Sequence, residues 1–562
     1  MKTLLYGGTV VNVFTGELEK KNVLIDNERI VGVGDYTKED ADTLEDVTGK
    51  YICPGFIDGH IHIESTMLTP AELARLCVPH GTTAIVADPH EIANVCGVDG
   101  IKYMLEASKG IPLNVYFNIP SCVPATPFDE SGAVLEAEDI RELYEYPEVV
   151  GLAEMMNYPG VIFDVPTVHA KINDAIAKGK IVDGHAPFLS GKDLDKYVSA
   201  GIGSDHECST ADEAIEKIRK GQRIMIRQGT AARNLVSLLP LFDDKYKHRC
   251  LLVTDDRHPA DIMSEGHIDN IIRLAVENGK SAVTAIQMAT IQAAEYFGIK
   301  FVGAVAPGYR ADILVLNDLD SVDVRDVYSV GKKVVSGKEM KSFDKPIVDE
   351  KLCDIVMNSF HVGELSSSDF HIEEKSNKCR AIEIIPGELI TKEKICEMDW
   401  SKNNGIDTDR DILKLAVVER HKNTGHIGLG YICGIGMKTG AIASSVSHDS
   451  HNIIVIGTND EDMATAANHI RSFGGNVVVE NGKIIAEMSL PVAGLMADCP
   501  GEEVARANEI VRGAVYGMGV PDNIEPFMNM AFVSLPVIPS LKMTTQGLVD
   551  VDKWERVSIY CD

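Results

Sequence analysis

The sequence predicts an α/β fold: a (β/α)8 TIM-like barrel inserted in a small β-sandwich, followed by a C-terminal α+β domain. Short apolar strands alternate with amphipathic stretches over much of the first half of the chain, and segments with a strand pattern flank them on both sides. At 562 residues the chain is also too long for one core. We therefore expect three domains: 1–54 with 300–345, 55–299, and 346–562.

The first fifty residues have the pattern of a small β module. Residues 9–14, 23–25 and 29–34 are strand-like, and an Asp26-Asn27 turn separates the last two segments. Two more strands are predicted within residues 303–335, beyond the barrel. We expect the two parts to complete one sandwich, so that the barrel is an insertion between them.

Eight strands are predicted for the barrel itself. They are 56–62, 82–87, 113–119, 149–155, 180–185, 201–206, 222–228 and 250–255. Segments with apolar residues at helical spacing, such as 210–220, lie between them. Eight βα units in about 240 residues match the length of a (β/α)8 barrel. An open doubly wound sheet is the alternative, but it would not bring the first and eighth strands together.

The C-terminal part mixes predicted strands with predicted helices. Residues 452–456 and 475–480 have a strand pattern, whereas 462–473 and 502–516 have a helical one. This mixture is typical of an α+β domain.

Composition excludes several classes of partner. The chain has 84 acidic and 54 basic side chains and a net charge of −30, which argues against binding to nucleic acid or to an anionic membrane. No apolar run is long enough to span a membrane. The twelve cysteines are scattered without a Cys-x-x-Cys pair, a pattern that favours reduced thiols and a cytoplasmic protein.

Metal-binding side chains follow the predicted barrel strands at their C-terminal ends, where barrel active sites form. His60 and His62 lie two residues apart on the first strand, so both imidazoles project from one face and can reach one metal ion. Four histidines and two carboxylates suit one or two divalent transition metals. The further candidate ligands, after strands four, five, six and eight, are Glu154, His185, His206 and Asp255.

Each candidate has a simpler explanation when it is considered alone. A single His185 or His206 is more often a hydrogen-bonded core or surface residue. Glu154 needs only an ion pair to be buried, and Asp255 can cap the next helix. Their joint order along the strands favours a metal site over these explanations.

This order of ligands resembles the amidohydrolase superfamily, metal-dependent hydrolases built on a (β/α)8 barrel with a flanking β-sandwich. In much of that family a carboxylated lysine on strand four bridges two metals, whereas this chain has Glu154. The resemblance therefore narrows to the adenine deaminase branch, and it covers nearly the whole chain. The motifs that carry it are Gly59-His60-Ile61-His62-Ile63-Glu64-Ser65, Asp88-Pro89-His90-Glu91, Ala153-Glu154-Met155-Met156-Asn157, Asp183-Gly184-His185-Ala186-Pro187, Ser204-Asp205-His206-Glu207, Ile226-Arg227-Gln228-Gly229, Val418-Glu419-Arg420-His421 and Ser447-His448-Asp449-Ser450-His451-Asn452.

The resemblance implies hydrolytic deamination of adenine to hypoxanthine and ammonia, a step of purine salvage. Two metals bridged by Glu154 would hold a hydroxide for attack on C6 of the purine. Asp255 would accept the proton of the hydroxide and pass it on. Either Glu64 or Glu207 would protonate N1, and each can instead support a ligating imidazole.

Four further residues are candidates for contacts with the purine. Arg227 and Gln228 follow strand seven and can donate hydrogen bonds to it, or can instead pair with barrel carboxylates. The resemblance alone singles out His448 and His451, because a solvated turn is the ordinary meaning of such a sequence. It also implies that free adenine is preferred over adenosine.

Two alternative functions stay open at this point. Another amidohydrolase reaction, on a cyclic amide or an N-acyl substrate, would use the same metals. A catalytically silent metal-binding subunit is the non-enzymatic alternative, and the full ligand set argues against it. His and carboxylate ligands accept Mn²⁺, Fe²⁺ or Zn²⁺, of which we expect Mn²⁺. We also expect a homodimer.

Overall fold

The predicted barrel is present in the computed structural model, which describes residues 1–230 and 232–561. Its strands are parallel and lie within the predicted segments, although the sixth is reduced to two residues. The barrel strands of the described chain are Phe56–Ile61, Thr82–Ala87, Asn114–Ile119, Val149–Met155, Ile181–Gly184, Ser204–Asp205, Arg223–Arg227 and Cys250–Val253.

The sheet closes on itself. The first five strands pair in sequence order, and so do the last three. The Gly203 N–H donates to the Val182 carbonyl over 2.9 Å and connects the two groups. At the other seam the Asp255 N–H donates to the His60 carbonyl, also over 2.9 Å. The first and eighth strands are therefore neighbours, and the open-sheet alternative is wrong.

Helices surround the barrel. The helix after strand six begins where the Thr210 hydroxyl accepts a hydrogen bond from the Glu213 N–H, and it buries Ala214 against the barrel. Helix bounds in this region are Pro70–Cys77, His90–Ala107, Ala137–Ile140, Tyr158–Ile162, Pro166–Ala177, Gly191–Ser199, Ala211–Arg219, Leu235–Leu238, Pro259–Glu265, Ile268–Glu277, Ala282–Met288 and Ile291–Tyr296.

Two sheets form the β module beside the barrel, and they share a core that includes Leu5, Val23, Ile52 and Val315. One sheet, in spatial order, contains Arg29–Gly34, Asn22–Asp26, Lys2–Tyr6 and Thr43–Asp46. The other contains Glu339–Met340, Lys332–Ser336, Val324–Ser329, Ile313–Leu316, Tyr51–Pro54, Thr9–Val11 and Leu18–Lys20. Because Ile313–Leu316 pairs with Tyr51–Pro54, segments before and after the barrel share one sheet.

A large mixed sheet forms the centre of the C-terminal part. Leu413–Val418 and Ile453–Gly457 are fully buried and, apart from Lys414, lack charged residues, and they occupy its middle. The spatial order is Thr391–Glu397, Lys378–Ile384, Ile427–Cys433, Leu413–Val418, Ile453–Gly457, Ala441–Ser444, Gly475–Glu480 and Lys483–Ser489, with Tyr560–Cys561 beside Lys378–Ile384. A smaller sheet contains Leu541–Thr544, Gly547–Asp550 and Glu555–Arg556.

Four helices belong to this second half of the chain as described. Their bounds are Glu350–Met357, Asp460–Ile470, Gly501–Gly517 and Pro526–Phe532. Met463 and Ile470 pack on the large sheet, against strand residues such as Val455. None of the described helices has the length and apolarity needed to cross a membrane.

Candidate metal centre and active site

The first strand presents two buried imidazoles at the barrel mouth. His62 Nδ1 lies 3.1 Å from the Asp88 carbonyl oxygen, which directs Nε2 towards the centre of the barrel. Neither ring nitrogen of the fully buried His60 has a hydrogen-bond partner among the described residues. Burial, together with the nearby His206, lowers the pKa of His60 to about 4, so its ring is neutral. A neutral buried imidazole without a partner is suited to ligate a metal.

Glu154 lies at the centre of the four histidines, with its two oxygens facing different pairs. Oε1 is 3.4 Å from His62 Nε2 and 3.9 Å from His60 Nε2. Oε2 is 2.7 Å from His185 Nδ1 and 3.3 Å from His206 Nε2. Burial alone would raise the pKa of Glu154, but His206 and His185 hold it well below the ordinary value. The carboxylate is therefore ionised between two potential ligand groups.

Asp255 completes the group from the end of the eighth strand. Its Oδ1 is 3.1 Å from His62 Nε2 and 3.6 Å from His60 Nε2. The residue has a φ of 61°, a left-handed conformation that is uncommon for aspartate and turns the chain at the strand end. All six predicted ligands thus meet at one point, although they come from five strand ends spread over almost 200 residues of sequence.

The spacing of these atoms leaves room for ions. Ligand atoms that share a metal at bond lengths of about 2.0–2.2 Å are separated by roughly 3.0–3.4 Å. Of the six distances from these imidazole nitrogens to the oxygens of Glu154 and Asp255, four lie between 3.1 and 3.6 Å. The distance from His185 to Glu154 is shorter, and that from His60 to Glu154 is longer. The donor set and the partnerless nitrogens of His60 therefore fit divalent transition metals.

Arg227 pairs with barrel carboxylates, which is the alternative that the sequence left open. Its guanidinium binds Glu207 through two nitrogens, at 2.5 and 3.1 Å, and reaches Asp255 Oδ2 at 2.6 Å. Burial alone would raise the pKa of Glu207, but the charges of Arg227 and His185 hold this pKa far below its ordinary value. The side-chain oxygen of the neighbouring Gln228 is buried without a partner in the described structure.

Glu64 occupies a different environment from Glu207. Oε1 accepts a hydrogen bond from the Ile92 N–H over 3.1 Å, whereas Oε2 is buried and has no partner among the described residues. Burial raises the pKa of Glu64 to about 7. Glu64 also lines a cavity of about 60 Å³ together with Asp256, His448 and Phe532, at the junction of the barrel and the C-terminal part.

Sequence reasoning missed His90 and Glu91 as site residues. His90 Nδ1 lies 3.8 Å from Glu154 Oε1, and His90 Nε2 lies 3.5 Å from Glu91 Oε1. Both are buried. The sequence signal for them was the motif Asp88-Pro89-His90-Glu91, directly after the second strand. This motif supported the family resemblance, but its residues were not predicted to belong to the site.

His448 and His451 reach the barrel from the C-terminal part by binding Glu91. His448 Nδ1 lies 2.7 Å from Glu91 Oε1, and His451 Nε2 contacts Oε2. The Ser447 N–H donates to His451 Nδ1 over 3.2 Å, so the proton of this ring is on Nε2, directed at Glu91. Burial alone would lower the pKa of His448, but the negative charge of Glu91 raises this pKa to about 9.

The loop that carries these two histidines is held by buried polar groups. Arg420, fully buried, donates from Nε to the His451 carbonyl, and His421 Nε2 lies 2.7 Å from the Ser450 carbonyl. Asn452 Nδ2 donates over 2.7 Å to the carbonyl of Glu130, in a barrel loop. The Val418-Glu419-Arg420-His421 motif therefore supports the Ser447–Asn452 loop.

Two family models match successive parts of the chain. The model of the amidohydrolase family matches residues 51–336, and the adenine deaminase C-terminal domain model matches residues 388–555. A β-aspartyl dipeptidase of Fervidobacterium islandicum superposes with a TM-score of 0.48 at 16% identity, covering 61% of this chain and 98% of that chain.

Two curated relatives match over almost the whole length. The adenine deaminase of Desulfatibacillum aliphaticivorans is 46% identical over 561 residues, 99% of this chain and 97% of that protein. Adenine deaminase 2 of Carboxydothermus hydrogenoformans is 45% identical over 560 residues, 99% of this chain and 96% of that protein. The chain therefore belongs to the adenine deaminase family of the amidohydrolases.

Proposed function

We propose that the protein is an adenine deaminase, which hydrolyses adenine to hypoxanthine and ammonia in purine salvage. Full-length relatives of that name support the activity. The single observation that carries the chemistry is the position of Glu154, whose two oxygens each face a different pair of histidines. This arrangement supports a binuclear centre that Glu154 bridges.

His60, His62 and Asp255 would hold one ion, and His185 and His206 the other. When bound, the ions would make water nucleophilic towards C6 at neutral pH. We infer Mn²⁺ as the metal, with Fe²⁺ or Zn²⁺ as alternatives, because this donor set accepts all three. Metal analysis of protein made with ample Mn should approach two ions per chain, and fully active protein without metal would refute the centre.

Asp255 and Glu64 are proposed to move the protons. Asp255 faces the histidine ligands and would accept the proton of the attacking water, while Arg227 fixes its second oxygen. The choice between Glu64 and Glu207 as proton donor to N1 favours Glu64. Both oxygens of Glu207 are engaged by Arg227, whereas Glu64 Oε2 is free of described partners and lines the cavity. Glu207 would then orient His185, His206 and Arg227.

The C-terminal part is proposed to close the purine pocket. His448 and Phe532 stack with ring centroids 4.5 Å apart and line the cavity with Glu64. Gln228, with its unpartnered amide oxygen, is a candidate for a hydrogen bond to the base. A barrel mouth covered by the C-terminal part would leave no room for a ribose, so we expect a far lower kcat/KM for adenosine than for adenine. Equal values for the two substrates would contradict this enclosure.

The test of the function is ammonia release from adenine by protein of defined metal content. Adenine should be turned over, while dihydropyrimidines and N-acyl amino acids should not. Turnover of either control class without adenine turnover would favour the other amidohydrolase reactions. No ammonia from any substrate, with two ions bound, would favour a catalytically silent subunit.

We also propose a domain division, a location and an oligomeric state for the protein. The division into 1–54 with 300–345, 55–299 and 346–562 is supported by the sheet shared across the barrel insertion. Cytoplasmic location is supported by the absence of disulfides from the described chain, whose cysteines are free thiols. A homodimer rests on resemblance, and light scattering of the purified protein would test it.

A further inference from the structure

A buried lysine lies behind one of the two proposed groups of metal ligands. Lys217 belongs to the helix Ala211–Arg219 and is fully buried, which is uncommon for a lysine. Its ammonium contacts Asp205 and lies 2.8 Å from Glu213 Oε1. Burial alone would lower the pKa of Lys217, but the charge of Asp205 raises it, so the ammonium stays charged. The proposed deamination uses none of these three side chains.

The ammonium connects the chain beside His185 to the chain beside His206. Lys217 donates a hydrogen bond over 2.7 Å to the carbonyl of Ala186, which directly follows His185. It also contacts the carboxylate of Asp205, which directly precedes His206. One side chain therefore restrains the ends of the fifth and sixth strands relative to each other.

A second connection joins the same two loops. Glu213 Oε1 accepts a hydrogen bond from the Phe188 N–H over 2.8 Å, and Oε2 accepts one from the Ser209 N–H over 3.4 Å. Phe188 belongs to the loop after His185, and Ser209 belongs to the loop after His206. The lysine thus lies between two carboxylates that bind the backbone of these loops, and the two ligand-bearing strand ends form one unit.

The other group of ligands has a separate anchor. Asp58 Oδ1 accepts hydrogen bonds from the N–H groups of His60 and Thr254, over 3.3 and 3.1 Å. Asp58 Oδ2 accepts a third, from the Thr254 hydroxyl over 2.5 Å. Thr254 directly precedes Asp255, so this carboxylate restrains two of the ligands from strands one and eight. The hydrogen bonds of Lys217 in the described structure reach none of these residues.

We propose that Lys217 is a positioning residue for the ion held by His185 and His206, so that its loss weakens this ion selectively. The inference rests on the proposed binuclear centre. Without the ammonium, the Ala186 carbonyl is released and the Asp205 carboxylate lacks its counter-charge, so the two imidazoles lose their fixed separation. Contacts that orient metal ligands in this way change metal affinity about 10- to 100-fold. The other ion should be retained because its ligands are anchored separately.

The experiment dialyses full-length protein, loaded with Mn²⁺, against falling concentrations of the metal and measures the bound ions. Wild-type protein should hold two ions. Lys217→Met should hold one ion with unchanged affinity and the second about 10- to 100-fold more weakly. Lys217→Arg keeps a charged donor and should recover part of the lost affinity.

Lys414→Met is the matched control for the loss of a buried lysine. Lys414 is also fully buried, contacts Asp460, and donates to the Phe370 carbonyl over 2.8 Å, but it lies in the C-terminal sheet. Thermal unfolding should show that both methionine variants lower the Tm, whereas only Lys217→Met loses an ion. If both variants bind Mn²⁺ as the wild type does, Lys217 contributes to stability alone and the proposal is overturned.

Two ligand variants identify which ion is lost. Lys217→Met combined with His206→Ala should still hold the remaining ion, whereas Lys217→Met combined with His62→Ala should hold none. Retention in the second combination and loss in the first would overturn the proposal. Wild-type protein without any bound ion would refute the binuclear centre itself, which distinguishes failure of the proposed function from failure of this inference.

A further variant serves if Lys217→Met does not fold. Lys217→Met combined with Asp205→Asn removes both members of the buried ion pair, so no unpaired charge is left in the interior. The Ala186 carbonyl still lacks its donor, and the selective loss of one ion should therefore persist. Two ions bound with wild-type affinity in this folded double variant would overturn the positioning role.

Discussion

Two clusters of histidine around a buried glutamate lie side by side in this protein, and they differ in spacing. Around Glu154, the imidazole nitrogens of His206, His62 and His60 stand 3.3–3.9 Å from a carboxylate oxygen, and only that of His185 is nearer, at 2.7 Å. Around Glu91, His448 lies at 2.7 Å and His451 is nearer still. The first spacing leaves room for an ion between donors, whereas the second is that of direct hydrogen bonds.

The clusters also differ in where their residues come from. The six proposed ligands of the Glu154 cluster all come from barrel strand ends, so the barrel itself sets their geometry. The Glu91 cluster joins the helix after strand two to a loop more than 350 residues later. The same residue types therefore serve metal binding in one place and contact between two parts of the chain in the other. Spacing, rather than composition, distinguishes the two roles.

Replacement of the two central glutamates is the strongest test of this distinction. Glu154→Gln should keep the fold but lower kcat roughly 1,000-fold, since metal-assisted chemistry is worth several kcal/mol. Its metal content should also fall, because the amide lacks the bridging charge. Glu91→Gln is the matched control and should still bind two ions in metal analysis. A loss of metal from Glu91→Gln alone would reverse the assignment of the two clusters.

Glu64 lies between the clusters and should matter through proton transfer. Glu64→Gln removes the carboxyl group that faces the cavity, so kcat should fall about 100-fold with two ions still bound. Steady-state kinetics together with metal analysis would measure both quantities. Glu207→Gln is the comparison, and its main effect should be on the pairing with Arg227. An unchanged kcat for Glu64→Gln would exclude it as the proton donor to N1.

The smallest of the three effects is expected from the C-terminal histidines. His448→Ala with His451→Ala removes two of the three imidazoles that face the buried Glu91 carboxylate, so kcat should fall about 10- to 100-fold while the metal content is unchanged. The unfolding free energy should also fall, by about 3–5 kcal/mol. Glutamine at both positions retains amide donors and should restore part of each loss.

Two controls make this test specific. His426→Ala removes an exposed histidine that pairs with Glu130, and it should change stability by less than about 1 kcal/mol. A chain truncated near residue 345 removes the whole C-terminal part. If the truncated chain and the double alanine variant both keep full adenine turnover, the C-terminal part is not in the active site. If only truncation lowers adenine turnover, the C-terminal part merely supports the barrel, and the two histidines are not catalytic.

Much of the site was accessible from sequence because barrel strands end at one mouth. Eight apolar segments at regular intervals predicted the barrel, and donors at their ends predicted which residues would meet there. His90 and Glu91 escaped this reasoning, since they start the helix after strand two rather than end a strand. The sequence also could not distinguish Glu64 from Glu207 as the proton donor to N1, because a local sequence pattern does not specify the hydrogen-bond partners of a side chain.

The sequence by itself determined the order of strands, the class of ligands and the family of the chain. These properties follow from local periodicity and from motifs of a few residues, which are set within short stretches of chain. Only the tertiary structure decided that Arg227 binds Glu207 and Asp255, and that His448 and His451 bind Glu91. Such pairings depend on differences of about an ångström in the distance between residues far apart in sequence, and packing of the whole molecule sets these distances.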